Sequence, residues 1–322
     1  MRLATYRTGA VVHAGVVVDD SVFPFEDGVT MRDLVEAGLE ETHELADRAT
    51  SRWPTRLDRV QLLAPLVPAS VRDFVAFEEH VEGVRKSVDG VTGVAEAWYD
   101  APTFYFTNPH AILGPDDVVA FPAACVARDF ELEVAAVITG EASSLSVEQA
   151  EQHLFGYTLF NDWSARDLQG REMQVGLGPA KGKDFGSTLG PWIVTADELE
   201  PYRNGDGFLQ LGCSVSVNGT EVGSDVLSNM GWSFATLLAY ASRDSRVVSG
   251  DLLGSGTTGH GGCLAELWGR AGSQTPPPLQ PGDVVTLTVE GIGSLSNKVG
   301  VAPPSPPLPP FRRSDYVAAR AR

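Results

Sequence analysis

This sequence predicts a β-rich α+β fold, and three observations carry that expectation. Among its 322 residues, 34 are glycine and 21 proline, a turn-rich composition. Short apolar runs stand between turn signals: Leu132 to Thr139, Leu209 to Val217 and Asp283 to Val289. Helical spacing is confined to a few stretches and does not alternate regularly with strands, which excludes a repeating βαβ design.

The elements divide the chain into three parts. Residues 1–65 read as a small N-terminal unit, with strand material at Val11 to Val18 and a helix over Thr30 to Ala49. Met31, Leu34, Val35, Leu39 and Leu45 supply that helix's apolar face. Ser51-Arg52-Trp53-Pro54 interrupts it. Residues 66–302 form the main domain. There Asn218-Gly219 signals a hairpin, and helices are expected at Ser146 to Phe155 and at Trp232 to Ser242. Residues 303–322 begin with a proline-rich run that is expected to be extended, and Arg312 to Arg322 to be weakly ordered.

Composition narrows the function. Hydrophobic residues make up 43% and charged residues 20%, enough apolar material for a sizeable core. A formal net charge of -18 repels phosphate backbones, so nucleic acid is excluded as a partner. An acidic substrate then needs a metal ion or a local cluster of positive charge. The three cysteines have no CxxC spacing, so neither a disulfide framework nor a zinc site is indicated. The first residues lack the apolar stretch of a signal peptide, and no run is long enough to cross a membrane. A soluble, cytoplasmic protein is expected.

Five constellations carry chemistry. In Asp129-Phe130-Glu131-Leu132-Glu133, the two glutamates share a strand face, just before a strongly apolar run. Buried side by side they repel and are desolvated, and a divalent cation relieves both costs. An exposed polar strand edge is the blander reading of that pair taken alone. Asp162 follows an apolar strand as a third carboxylate, or as a helix cap. Arg166 and Gln169, three apart, share a face if the segment turns helically. Lys183 lies in the glycine-rich stretch Gly178 to Gly186, where it can stabilise an oxyanion; Asp184 follows it, so this is not a phosphate loop. Asp73 offers another oxygen ligand and His80 a general base, against a plain amphipathic helix surface. Gly254 to Gly259 is a loop rich in hydroxyls and backbone N–H groups. Glu266, in an apolar strand-like stretch beyond it, wants a partner such as histidine.

Together and in this order, these motifs resemble the fumarylacetoacetate hydrolase family, from about Val71 to Val301. The most specific string runs from His153-Leu154-Phe155-Gly156 through Asn161-Asp162-Trp163-Ser164-Ala165-Arg166-Asp167-Leu168-Gln169 to Lys183-Asp184-Phe185-Gly186. The resemblance implies a mixed β-roll or sandwich catalytic domain behind a small N-terminal domain, usually as a homodimer. It implies Mg²⁺ or Ca²⁺, with Mn²⁺ as a third choice, held by Glu131, Glu133, Asp162 and Asp73. It makes His80 the base, oriented by Glu266; Arg166, Gln169 and Lys183 the donors to oxyanion and carboxylate; and Tyr105 and Thr257 substrate contacts.

The reaction it implies is carbon–carbon hydrolysis of a small diketo acid through a metal-bound enolate, as in aromatic amino acid catabolism. The alternative is an isomerase or decarboxylase of 2-hydroxy-dienoate or 2-oxo acids. A non-catalytic scaffold around structural Ca²⁺ would not need Lys183, Arg166 and His80. Three departures fall on substrate contacts. Val75 stands where the family has tyrosine, and Asp89 stands where it has arginine, with Arg85 and Lys86 as the candidates to replace it. The loop from Thr257 to Glu266 is shorter than in fumarylacetoacetases.

Overall fold

The computed structural model describes residues 1–88 and 90–312. The front of the chain holds β1 (Arg2–Thr8), β2 (Val11–Val18), β3 (Ser21–Pro24), α1 (Met31–Ala49), β4 (Thr55–Arg56) and β5 (Gln61–Leu62). Next come β6 (Val71–Phe74), α2 (Glu78–Val88), α3 (Ala97–Asp100), β7 (Phe104–Thr107), β8 (Ile112–Leu113) and β9 (Val118–Phe121). The middle comprises β10 (Arg128–Asp129), β11 (Leu132–Ile138), α4 (Val147–Glu151), β12 (Leu154–Asp162), β13 (Ser164–Ala165), α5 (Arg166–Met173) and β14 (Ser187–Thr195). The remainder is β15 (Gly212–Val217), β16 (Thr220–Val226), α6 (Phe234–Ser242), β17 (Leu252–Gly254), α7 (Leu264–Ala271), β18 (Val284–Val289) and β19 (Gly293–Val301). This is a mixed-sheet α+β fold.

The main sheet runs β4-β3-β2-β1-β14-β12-β11-β17-β6-β7, with β5 on β1 and β8 on β14. A five-stranded sheet, β16-β15-β18-β19-β9, packs against it. The strands of residues 1–65 join the main sheet where β1 pairs antiparallel with β14.

At β11 and β12 both faces of the main sheet are buried, which explains why these strands read as largely apolar runs. On one face Val134, Ala136, Ile138 and Leu159 meet Val215 and Leu287 of the second sheet and Leu237 of α6. On the other, Ala135, Val137, Phe155 and Phe160 meet Leu34, Val35 and Ala46 of α1.

Local chemistry sets the element ends. Thr30 caps α1 in a reciprocal box with Asp33. The run predicted as one helix is broken at Gly38, whose φ of 85° leaves the helical region. Asn218 and Gly219, at φ 52° and 78°, make the predicted β15–β16 hairpin turn. The helix expected over Ser146 to Phe155 ends at Glu151, because Leu154 and Phe155 enter the fully buried strand β12. The strand expected from Leu209 starts at Gly212. Residues 302–312 carry no helix or strand, and Leu308 and Phe311 are exposed. Asp89 and residues 313–322 lie outside the described residues. Among the described residues no helix is long and apolar enough to cross a membrane.

Candidate active site

The carboxylates gather because one sheet face turns from apolar to acidic at its end. Val71, Ala135 and Phe160 belong to the core on the α1 side. Two residues along each strand, on the same face, stand Asp73, Glu133 and Asp162, with Glu131 one further step before Glu133. All four are buried.

Strand order then brings them across. Gly254 of β17 sits between β11 and β6, paired with Ala135 on one side and Asp73 on the other. A Cβ at Gly254 would lie 2.5 Å from Asp73 Oδ1 and 3.1 Å from Glu133 Oε2, so only glycine lets those carboxylates converge. Oxygens of Asp73, Glu131 and Glu133 lie within 4.8 Å of one another. Asp162 stands outside that triad and reaches it through Lys183, whose ammonium pairs with both Glu131 and Asp162 (2.8 Å).

The cations are held as tightly as the anions. Arg166 opens α5 and donates from Nη2 to Glu131 (2.7 Å), from Nε to Asp129 (2.8 Å) and from Nη1 to Gln169 Oε1 (3.0 Å). The predicted spacing of Arg166 and Gln169 is thus realised on one helix face. That bond leaves the Gln169 amide N–H₂ to donate. Gly182 packs where a Cβ would meet the Gln169 backbone at 2.8 Å, so the loop lies against α5 and delivers Lys183 to the carboxylates. Glu172 fixes the same loop by accepting from the backbone of Ala180, Lys181 and Gly182.

Tyr105 donates to Asp162, and Ser187 donates to its other oxygen at 3.2 Å. Thr257 and the Gly256 N–H donate to the two Glu133 oxygens, at 3.2 and 3.1 Å.

The electrostatics follow from burial and neighbours. Burial and the nearby Asp162 charge hold Asp73 well above the usual carboxylate range; burial and Asp73 do the same to Glu133. Burial raises Asp162, against the pull of Lys183. Burial also opposes the Glu131 charge, yet Lys183 and Arg166 together bring its carboxyl down to about 2. Burial drives His80 to about 3, with Arg166 and Lys183 helping and Glu131 opposing. Its imidazole is therefore neutral at pH 7.

Five buried carboxyl groups, Asp73, Asp129, Glu131, Glu133 and Asp162, face only two cations, Arg166 and Lys183, and the raised values of Asp73, Glu133 and Asp162 reflect that excess. Asp73 Oδ1 is buried without a hydrogen-bond donor. The donor set is oxygen only, the chemistry of a hard divalent ion. These residues fit such a group on both counts.

A cavity of about 330 Å³ opens onto this cluster. Asp73, His80, Tyr105, Glu131, Glu133, Arg166, Gln169, Lys183 and Thr257 line it, with Val75, Phe104, Met173 and Pro179 as apolar wall. Ten of the eleven predicted site residues thus come together, nine in the wall and Asp162 behind it. Of the two candidates to replace the expected arginine, Arg85 donates to the Gly93 carbonyl and Lys86 is exposed; neither lines the cavity. A larger recess of about 450 Å³, around Glu148 and Arg203, brings no comparable set of buried groups together.

Glu266 is the exception. It lies on helix α7, not on a strand, and forms no hydrogen bond with His80. Its Oε1 forms an ion pair with Arg270 (2.7 Å) and accepts from the Gly261 N–H (3.2 Å), while Oε2 is buried without a partner. The neighbour of His80 Nδ1 is Cys263 Sγ, at 3.6 Å.

Sequence reasoning also assigned no role to Asp129, which binds Arg166 and caps α7 through the Leu264 and Ala265 N–H groups. Its place two residues before Glu131, on the same strand parity, was the available signal.

The profile of the fumarylacetoacetate hydrolase C-terminal region matches residues 69–300. A fumarylacetoacetase of Dictyostelium discoideum is 31% identical over 62% of this chain, which spans 57% of that relative's length. Oxaloacetate tautomerase YisK of Bacillus subtilis is 32% identical over 62% of the chain and 61% of its own. A solved fumarylacetoacetate hydrolase of Exiguobacterium antarcticum superposes with a TM-score of 0.73 at 26% identity, covering 94% of this chain and all of its own. With the profile spanning most of the chain, and the fold and buried cluster agreeing, the protein belongs to the fumarylacetoacetate hydrolase family.

Proposed function

We propose that the chain is a divalent-metal-dependent hydrolase that cleaves a carbon–carbon bond in a small diketo acid of fumarylacetoacetate or acylpyruvate type. The observation that carries this reading is the neutral, cavity-lining His80 beside a buried cluster of converging carboxyl groups. Asp73, Glu131 and Glu133 would hold Mg²⁺, Ca²⁺ or Mn²⁺, with Asp162 fixed behind them. When bound, the ion supplies Lewis-acid charge and a template for substrate oxygens.

The chain's own residues do the rest. Neutral His80 accepts a proton from water as that water attacks a carbonyl carbon. Arg166, Lys183 and the Gln169 amide present donors where negative charge develops. Phe104, Met173 and Pro179 exclude bulk water from one wall. The expected products are two carboxylic acids, and a second copy of the chain is the expected partner.

A second reading, an enol–keto tautomerase or isomerase, is favoured by one observation. Glu266 is bound to Arg270 and Gly261 instead of His80, so no histidine–glutamate pair polarises a water. A lone neutral imidazole suffices to move a proton between carbon and oxygen. The resemblance to a tautomerase points the same way.

The experiment follows the enol absorption of a panel of acylpyruvates and fumarylacetoacetate-like diketones, with Mg²⁺ and with EDTA, and identifies products. Metal-dependent loss with two acids supports hydrolysis. Solvent deuterium entering the recovered substrate without cleavage supports the second reading, and evolved CO₂ would point to decarboxylation.

A further inference from the structure

Beside the all-oxygen triad stands a second cluster of different chemistry. His80, Cys263 and Glu131 are all buried, and one ligand atom from each lies within 4.8 Å of the others. Imidazole nitrogen and thiol sulfur are poor donors for Mg²⁺ or Ca²⁺ and good ones for Zn²⁺, Co²⁺ or Cd²⁺.

We propose that His80, Cys263 and Glu131 form a site for a thiophilic divalent ion, separate from the hard-cation position, whose occupancy takes His80 out of catalysis. The consequence for turnover rests on the proposed role of His80; the binding itself does not.

The geometry suits a tetrahedral ion. Zn–N of ~2.0–2.1 Å and Zn–S of ~2.3 Å span an edge of about 3.6 Å at the tetrahedral angle. His80 Nδ1 and Cys263 Sγ are 3.6 Å apart. The sulfur is already fixed, because it caps α7 by accepting the Glu266 N–H.

Glu131 belongs to both clusters, and its carboxylate has two oxygens to share between them. Arg166 holds Oε1 and Lys183 holds Oε2, and each keeps a carboxylate when it gives up that oxygen: Arg166 keeps Asp129 through Nε, and Lys183 keeps Asp162. His80 and Glu131 both line the cavity, so an ion arrives from that side and keeps its fourth position open to it. On binding, the Sγ–H bond breaks, an Sγ–metal bond forms and the proton leaves to solvent. No electron is transferred.

Co²⁺ is the probe. Full-length protein saturated with Mg²⁺ is titrated with Co²⁺ and read for the near-ultraviolet band that arises only from thiolate bound to cobalt. The expected result is one saturable band, lost in Cys263→Ser and Cys263→Ala and retained in Cys125→Ser and Cys213→Ser. Zn²⁺ should inhibit the Mg²⁺ enzyme. Cys263→Ser should weaken that inhibition by more than the ~100-fold that loss of an outer-shell partner costs a metal site.

No band, or a band unchanged in Cys263→Ser, overturns the site, as does Zn²⁺ inhibition that persists undiminished. Serine keeps the helix cap. Should both Cys263 variants fail to fold, His80→Gln decides, because an equally tight and intense band there refutes coordination by His80. A protein that shows the band yet turns over none of the diketones would refute the proposed function and leave this site standing.

Discussion

Replacing Glu266 with glutamine should make the protein more stable in mildly alkaline solution, and the size of that gain can be worked out. Glu266 is fully buried on α7, with Gly83 of α2 packed directly over its side chain. Burial raises its carboxyl from an ordinary 4.5 to about 7, against the pull of Arg270. A raised value means that the fold prefers the protonated acid. That preference is fully present below about pH 4.5 and is lost as pH rises through about 7.

Each unit of difference is worth ~1.4 kcal/mol, so the ionised group costs the fold ~3 kcal/mol at pH 8. Glutamine is neutral throughout and nearly the same shape, and Arg270 retains Glu79 as a partner. Glu266→Gln should therefore differ little from wild type at pH 5 and exceed it by ~3 kcal/mol at pH 8. At roughly 2–4 °C per kcal/mol, that is a rise of several degrees in Tm. Thermal and urea unfolding at both pH values measure it. A variant whose stability tracks the wild type across this range, or that is weaker at pH 8, refutes the reasoning about burial.

Three further outcomes test the site. His80→Ala should lower kcat by ~10²–10⁴-fold while the cation-induced rise in Tm stays unchanged; equal loss of both would remove His80 from its role. Mg²⁺, Ca²⁺ or Mn²⁺ at 100 times its Kd should add ~2.7 kcal/mol of stability, and Glu133→Gln should abolish most of that gain, as calorimetry would show. At Gly269 a Cβ would fall 2.0 Å from the Gly83 carbonyl, where α2 crosses α7. Gly269→Ala should cost ~1–3 kcal/mol and reduce turnover, although no cavity residue changes. Undiminished turnover would show that the helix crossing does not place His80.

The acidic strand was readable in advance because strand periodicity is a local rule. Glu131 and Glu133 had to share a face, and the apolar run after them marked that face as buried. Arg166 and Gln169 were readable for the same reason on a helix. The meeting of Asp73 with Glu133 was implied by the family resemblance alone, and no local periodicity could give it. It depends on β17 pairing in parallel with β6, elements from the first and last quarters of the chain, and on Gly254 lying between them. Glu266 was misplaced because Leu264 to Trp268 is too short and apolar for periodicity to separate strand from helix. Its expected histidine partner was lost to Arg270, one helical turn away, which no pattern centred on catalysis would have weighed.

The pairing of β1 with β14 gives the front of the chain a second significance. A strand without a neighbour presents a row of unpaired N–H and C=O groups, an open template for any other extended chain. Without β1, the end of β14 at Ile193 and Val194 would be such a stretch, beyond the Ser187 and Thr188 that β8 covers and one position from the β12 that carries Asp162. The N-terminal strands therefore act as a border: they carry the growth direction of the sheet away from the acidic cluster, so that pairing between molecules would begin far from the residues that must stay in register.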